Sequence, residues 1–332
     1  MNIIGIDLGG TKLLGIRATE HGDVLQEDRV PTLAHEGPER VIDRILDMIG
    51  RLAKAAPPDA IGIDVPGPAD PFKGIVYGPP NLPGWPEKGV PLLQIAKDRL
   101  GYGDKVPIVL VNDANASALA EYKYGAGAEK FMGRKVKHLV FLTISTGIGG
   151  GVIVDGRLLL GANGFATELG HVIIDAFGYR CSCGSSGCFE AMASGTALAR
   201  EGALIVASRR PTLMSDMVGG DPSKVDGKIV TAAAAKGDPA ALALMEREGM
   251  LVGVGVTNFI HTFNPEVVVL GGGVTHAGDL LFKPARASVE MRIMPAYRGT
   301  FEIVSAVLGD KSAALGSVAA AVDKQQADGA NS

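Results

Sequence analysis

The chain has 332 residues, 46% of them hydrophobic and 20% charged, with a formal net charge of −4. At roughly 100–200 residues per domain, that length suggests two domains and substantial cores. The acidic balance argues against bulk nucleic-acid binding, which needs a basic face. The three cysteines cannot all pair with one another, so a reducing compartment and a metal suit them better than a disulfide framework. MNIIGIDLGG lacks a basic n-region and is broken by Asp7, so it does not read as a signal peptide. With no membrane span expected either, the predicted location is cytoplasmic.

In chain order, Ile3 to Leu8 reads as a strand closed by Gly9-Gly10, Leu13 to Ala18 as a second, and Val24 to Val30 as a third after the His21-Gly22-Asp23 turn. Val41, Ile42, Ile45, Leu46, Ile49 and Leu52 form a helical apolar stripe with Pro38 and Glu39 in its first turn. Ala60 to Val65 is a buried strand ending at Pro66-Gly67-Pro68, and a long Pro-rich loop containing Asn81 to Trp85 follows. Leu92 to Leu100 reads as a helix, Pro107 to Val111 as a strand with Asn112-Asp113 at its end, and Asn115 to Tyr122 as a helix. Leu139 to Ile144 is a strand before a glycine run to Gly151. Val152 to Val154 and Arg157 to Leu160 then flank an Asp155-Gly156 turn. Met217 to Asp226 reads as a surface excursion. Asp238-Pro239 opens a long helix to Phe263, and Val267 to Leu270 is a buried strand closed by Gly271 to Gly273. A strand over Phe301 to Leu308, an Ala-rich helix over Lys311 to Val322 and a frayed end from Asp328 complete the pattern. Both halves open with strand, glycine turn, strand, which suggests an internal duplication: two α/β lobes around a cleft.

Several groups carry chemistry. In Asp7-Leu8-Gly9-Gly10-Thr11-Lys12 the glycines let backbone N–H groups approach phosphate, while Thr11 and Lys12 add a hydroxyl and a charge; the alternative is an ordinary hairpin turn. Ser145 to Gly151 is a second such run. Neither run fits the Walker or dinucleotide fingerprint, yet as a pair in matching halves they suggest one nucleotide. Asp113, after an apolar strand and before a helix, suits a general base or a helix N-cap. His171, Cys181, Cys183 and Cys188 make a Cys3His set suited to a closed, structural zinc; the alternative is buried thiols. Glu168 and Glu190 bracket that set, as acceptors for sugar hydroxyls, a glycosidase pair or surface residues.

Taken together, these segments resemble the ROK family of sugar kinases and sugar-responsive repressors. Gly170-His171 with Cys181-Ser182-Cys183-Gly184-Ser185-Ser186-Gly187-Cys188-Phe189-Glu190 matches the family's zinc signature. DLGGTK at Asp7 to Lys12 and Ser145 to Gly151 match its phosphate motifs, and Gly271-Gly272-Gly273-Val274 its adenosine-side turn. VPGP at Val65 to Pro68 and NLPGW at Asn81 to Trp85 also look like family segments, so the likeness runs from residue 3 to about 317. Asp64 stands where a smaller residue is expected.

The resemblance implies a two-lobed actin-like ATPase (ribonuclease H-like) α/β fold. The smaller lobe would hold residues 1–112 and 313–332, and the larger 113–312. It implies ATP-dependent phosphorylation of a hexose 6-hydroxyl, with glucose first. Fructokinase or N-acetylhexosamine kinase activity is the alternative within the family. A sugar-sensing repressor is the rival from another class, disfavoured because no helix-turn-helix precedes Asp7; a sugar binder without turnover is a third reading. Asp113 would be the base. Gly67, Asn81, Asn112, Asp113, Glu168, His171 and Glu190 would hold the sugar, with His171 facing zinc on one nitrogen and sugar on the other. Asp7, Gly9, Gly10, Thr11, Lys12, Thr146, Gly147, Gly271 and Gly272 would hold the nucleotide, Mg²⁺ would bridge its phosphates, and Zn²⁺ would be structural. A homodimer or higher homo-oligomer is the family expectation, with no nucleic-acid or membrane partner.

Overall fold

The computed structural model describes residues 1–79 and 81–330, with backbone only for Asp104, Gly329 and Ala330. Packing divides the chain into two units: Met1–Lys135, Gly151–Thr167 and Leu308–Ser332 form the first, and Val136–Gly150 with Glu168–Val307 form the second. These packing units differ from lobes cut at 112 and 313 mainly in residues 113–135 and 151–167.

In the first unit, β1 (Ile3–Leu8), β2 (Lys12–Ala18), β3 (Val24–Pro31), β4 (Ala60–Val65) and β7 (Ile108–Asn112) form a sheet in the order β3-β2-β1-β4-β7. The first three strands are antiparallel, as their short turns require, whereas β1, β4 and β7 run parallel through helical crossovers. β4 is buried along its whole length, the expected state of a central parallel strand. Helix α1 (Pro38–Ala53) packs on β1 and β2 through the apolar stripe read from the sequence, joined by Met48. Ile45, Ile49 and Leu52 are fully buried there, each contributing roughly 1.5–3 kcal/mol. β5 (Ala69–Asp70) and β6 (Ile75–Val76) form a small hairpin in the segment read as loop, and α2 (Leu92–Leu100) follows.

Helices α3 (Asp113–Lys123) and α11 (Ser312–Ala330) pack against each other, and α11 lies on β1 and β4; the short α4 (Glu129–Met132) follows α3. α11 comes this close because two sheet positions lack side chains. A Cβ at Gly62 would collide with the Ser317 carbonyl oxygen, and one at Gly5 with that of Ala314. α11 also corrects the sequence reading: it begins at Ser312 and continues through Asp328 to Ala330, where fraying was expected, and residues 331–332 lie outside the described residues.

The second sheet repeats the plan in the order β10-β9-β8-β11-β12. Its strands are β8 (Leu139–Ile144), β9 (Ile148–Val154), β10 (Arg157–Leu158), β11 (Val267–Gly271) and β12 (Glu302–Ser305). β8, β11 and β12 run parallel, and β9, which carries the chain into the first unit, pairs antiparallel with β10. β12 is shorter than the strand read over Phe301 to Leu308; the Ala306 N–H still bonds the Leu270 carbonyl, but the pairing register ends at Ser305.

The helices of this unit are α5 (Phe189–Ala193), α6 (Gly195–Ala207), α7 (Leu213–Met217), α8 (Gly227–Ala235), α9 (Pro239–Phe263) and α10 (Asp279–Arg292). Asp238 caps α9, accepting from the Ala241 N–H at 2.8 Å, and Pro239 takes the first helical position. The expected excursion from Met217 to Asp226 starts at the last residue of α7 and contains a 3-10 turn over Pro222–Lys224. Among the described residues no helix is long and apolar enough to cross a membrane.

Candidate functional site

In the first unit every sequence-predicted site residue falls at or beyond the C-terminal end of a strand, apart from Lys12 at the start of β2. This is where parallel α/β sheets present their loops. Asp7 is near the end of β1. Gly9 to Lys12 form the turn into β2, closed by the Gly9 N–H on the Lys12 carbonyl at 3.0 Å. Thr32 braces it, donating through Oγ1 to the Gly9 carbonyl at 2.6 Å. Gly10 faces the Asn81 backbone, and a Cβ there would come within 2.9 Å of the Asn81 carbonyl oxygen. The turn's glycine and the NLPGW loop are thus in direct contact. Lys12 Nζ lies 3.7 Å from Asp310, which also meets Arg29 at 3.2 Å. Asp310 escaped the sequence reading because it is nearly three hundred residues away and carries no local pattern. Gly67 is half-buried just beyond β4.

At the end of β7 the helix cap falls to Asn112 and not to Asp113. Asn112 is the N-cap of α3, its Oδ1 accepting from the Ala114 and Asn115 N–H groups at 3.0 and 3.2 Å. Asp113 is therefore the first residue of the helix. Its Oδ1 accepts from the Ala114 N–H at 2.8 Å and from Asn112 Nδ2 at 3.1 Å. The helix N-terminus and the Asn112 amide fix the Asp113 carboxylate without neutralising it, an arrangement that suits an oriented proton acceptor.

In the second unit the glycine-turn candidates again lie at or beyond strand ends. Thr146 and Gly147 form the turn between β8 and β9, closed by the Ser145 N–H on the Gly147 carbonyl at 2.8 Å. The start of α6 is tied to this turn: the Gly195 N–H bonds the Ser145 carbonyl at 2.7 Å, and Thr196 Oγ1 bonds the Thr146 carbonyl at 2.7 Å. Gly271 ends β11. Gly272 follows with φ +89°, and a side chain there would strike the Ile144 carbonyl at the end of β8. Only glycine suits that position.

Glu190, in the first turn of α5, accepts from the Ile148 N–H at 2.9 Å and leaves no room for a side chain at Gly147. The cysteine segment and the second glycine turn are thus joined by one charged hydrogen bond, which residues 42 positions apart gave no means of foreseeing. Glu168 is exposed as a residue, yet desolvation of its carboxyl raises its pKa; Glu190 adds to the rise and His171 opposes it.

His171, Cys181, Cys183 and Cys188 each bring a ligand atom to within 4.8 Å of every other. His171 Nδ1 and Cys181 Sγ are 3.7 Å apart, as are the sulfurs of Cys183 and Cys188. A tetrahedron with Zn–S bonds of ~2.3 Å has edges of about 3.8 Å, so the donor set fits a four-coordinate zinc. Without a cation the thiols resist ionising together: burial and the neighbouring sulfurs push Cys188 up to about 12. A divalent ion would reverse that balance. The loop itself depends on glycine. Gly187 has φ +71°, and a Cβ there would overlap the Asp175 carbonyl. From outside, Arg200 of α6 stacks on Tyr179 at 3.6 Å and donates to the Ala191 carbonyl at 3.1 Å.

Comparison with known proteins places the whole chain among similar sequences and structures. The ROK family model matches residues 3–324. A glucokinase of Thermotoga maritima is 39% identical over 332 residues, covering 99% of both chains. Among solved structures, the ROK hexokinase from Thermus thermophilus superposes with a TM-score of 0.80 at 33% identity, over 98% of this chain and 100% of its own. A ROK family glucokinase from Streptomyces griseus, in complex with glucose and AMPPNP, gives 0.79 at 30% identity over 97% and 100%. The fold is that of the actin-like ATPases, to which these structural neighbours belong. Matched by the family model from the first strand into the last helix, the chain belongs to the ROK family.

Proposed function

We propose that the protein is an ATP-dependent hexose kinase that phosphorylates the 6-hydroxyl, with glucose as its preferred sugar. The observation that carries the reading is Asp113, an acid fixed at the start of α3 by the Ala114 N–H and by the Asn112 amide. Asp113 accepts the proton of the sugar's 6-hydroxyl as that oxygen attacks the γ-phosphorus and the γ–β bridging bond breaks toward ADP. Gly67, Asn81, Asn112, Glu168, His171 and Glu190 orient the remaining hydroxyls. Glu190 uses one oxygen on the Ile148 N–H and has further acceptor sites for sugar.

The phosphates lie on the N–H groups of the first turn, Gly9 to Lys12, headed by Asp7, and of the second, Thr146 and Gly147. Gly271 and Gly272 give a surface with no side chains for the adenosine. Mg²⁺ entering with the nucleotide supplies charge neutralisation. His171, Cys181, Cys183 and Cys188 hold zinc, whose contribution is to fix the loop between Glu168 and Glu190 rather than to polarise substrate. As a family expectation, the working unit is a homodimer or higher oligomer, which light scattering tests.

A coupled assay across glucose, mannose, fructose, N-acetylglucosamine and N-acetylmannosamine, each with ATP, ADP and polyphosphate, tests the reading. The expected result is the highest kcat/KM for glucose with ATP. Preference for fructose or an N-acetylhexosamine would move the assignment within the family. Sugar binding without transfer from any donor would overturn it in favour of a sensor.

A further inference from the structure

The kinase reading leaves Asp64 unused, although it is fully buried in β4. It is the in-register parallel neighbour of Asp7 on β1, so the two side chains share one face of the sheet. On the side of α11, Ser317 Oγ lies 2.9 Å from Asp64 Oδ2 and 3.3 Å from the Ile6 carbonyl oxygen. Asp64 Oδ1 is buried and accepts no hydrogen bond. An ionised carboxylate in that place would be buried with a serine hydroxyl for company and one oxygen unpaired, which burial strongly disfavours.

The charges acting on Asp64 make this worse: they are the acids Asp7 on β1 and Asp113 on α3. Burial raises Asp7 as well, but there the hydrogen bond with Asp64 and the charges of Lys12 and Arg29 oppose the rise, with Asp310 against them. Desolvation first, then the charges of Asp7 and Asp113, hold Asp64 well above the usual carboxylate range. With two acids side by side and cations near one of them, the proton belongs on Asp64 and the charge on Asp7.

We propose that Asp64 is a positioning residue: as the neutral acid it donates a hydrogen bond to the Asp7 carboxylate, fixes that carboxylate at the head of the first glycine turn and keeps a second negative charge away from the nucleotide phosphates. The inference rests on the reading that this turn holds the phosphates. Asparagine at 64 would reproduce it, with an amide to donate to Asp7 and a carbonyl to accept from Ser317.

The test compares the full-length wild type with Asp64→Asn and Asp64→Ala. MgATP affinity is measured by calorimetry across pH, together with the kcat and KM values and infrared difference spectra. Asp64→Ala is expected to bind MgATP about tenfold more weakly with the sugar KM within about twofold of wild type, while Asp64→Asn stays within about threefold in both. Wild-type affinity is expected to fall as rising pH ionises Asp64, and that of Asp64→Asn to stay level. The wild type is expected to show a protonated-carboxyl C=O stretch that Asp64→Asn lacks. Absence of that band, an Asn variant as weak as the Ala variant, or an Ala variant with unchanged affinity would each overturn the proposal. Should Asp64→Ala fail to fold, the infrared band and the pH profiles of the other two proteins still decide. A wild type that binds MgATP but phosphorylates no hexose defeats the kinase reading alone, because the nucleotide affinities remain diagnostic of Asp64.

Discussion

The two sheets have the same strand order but carry different chemistry. In the first, the ends of β1, β4 and β7 bear the acids Asp7, Asp64 and Asp113. In the second, the ends of β8 and β11 bear Thr146, Gly147, Gly271 and Gly272, and the carboxylates come from the segment that carries the cysteines. The duplicated frame therefore fixes where loops emerge and leaves the side chains to differ. An acid at the end of a parallel strand is placed by the sheet itself. Glu190 instead stands in the first turn of the short helix α5, two residues after Cys188, and is held by its bond from the Ile148 N–H.

The sharpest way to break the comparison is Asp113→Asn. The amide is isosteric and Asn112 still caps α3, so sugar and nucleotide binding should persist within a few-fold. Without the proton acceptor, kcat should fall by ~10²–10⁴. Steady-state kinetics beside sugar-binding calorimetry checks this, and near-normal turnover would remove Asp113 from its role.

Next in size is a stability effect confined to the second unit. Glu248 of α9 is almost wholly buried, and its Oε1 has no hydrogen-bond partner. Burial raises its pKa from the ordinary 4.5 to about 8, against smaller opposing effects of Arg247 and Arg200. Because the folded value lies above the unfolded one, its contribution is complete below pH 4.5 and is lost as pH rises through about 8. Glu248→Gln removes that loss. The variant should gain stability relative to wild type as pH increases over this window, by a few kcal/mol at the alkaline end. Urea melts at a series of pH values measure it, and a difference independent of pH would show that Glu248 is not a buried neutral acid.

Disturbing the cysteine cluster should produce a smaller, local change. Cys183 is the exposed member of the set, so Cys183→Ala removes a ligand while disturbing the packing least. Metal content by mass spectrometry should drop, and the sugar KM should rise about tenfold as the loop from Glu168 to Glu190 loses its fixed shape, with kcat less affected. A wild type that is fully active with no bound metal would contradict the assignment of zinc.

The elements recoverable from the sequence were those written in local pattern. The α1 stripe, the β4 run and the Asp238-Pro239 start of α9 have the periodicity or capping chemistry that a single segment can express. The Cys3His set was equally readable, since few other arrangements use every cysteine. What stayed hidden depends on register and tertiary contact. The Asp7–Asp64 neighbours require knowing that β1 and β4 pair, and the Glu190–Ile148 bond joins segments with no shared motif. Asn112 and Asp113 are both good N-cap residues, so propensity alone could not assign the cap between them.

That last ambiguity yields the smallest predicted effect. Asn112 has two separable functions: its Oδ1 caps α3, and its Nδ2 holds Asp113. Asn112→Ala loses both. Asn112→Ser retains a hydroxyl suited to the cap, but that side chain cannot span to the Asp113 carboxylate while capping. The alanine variant should lose about 1 kcal/mol of stability and the serine variant only a few tenths. Both should lower kcat several-fold through the freer Asp113 carboxylate. If serine restores turnover along with stability, Asn112 acts on the helix alone, and the placement of Asp113 does not depend on the Asn112 amide. If serine restores stability but not turnover, the amide is part of what makes an ordinary helix start into a site for proton transfer.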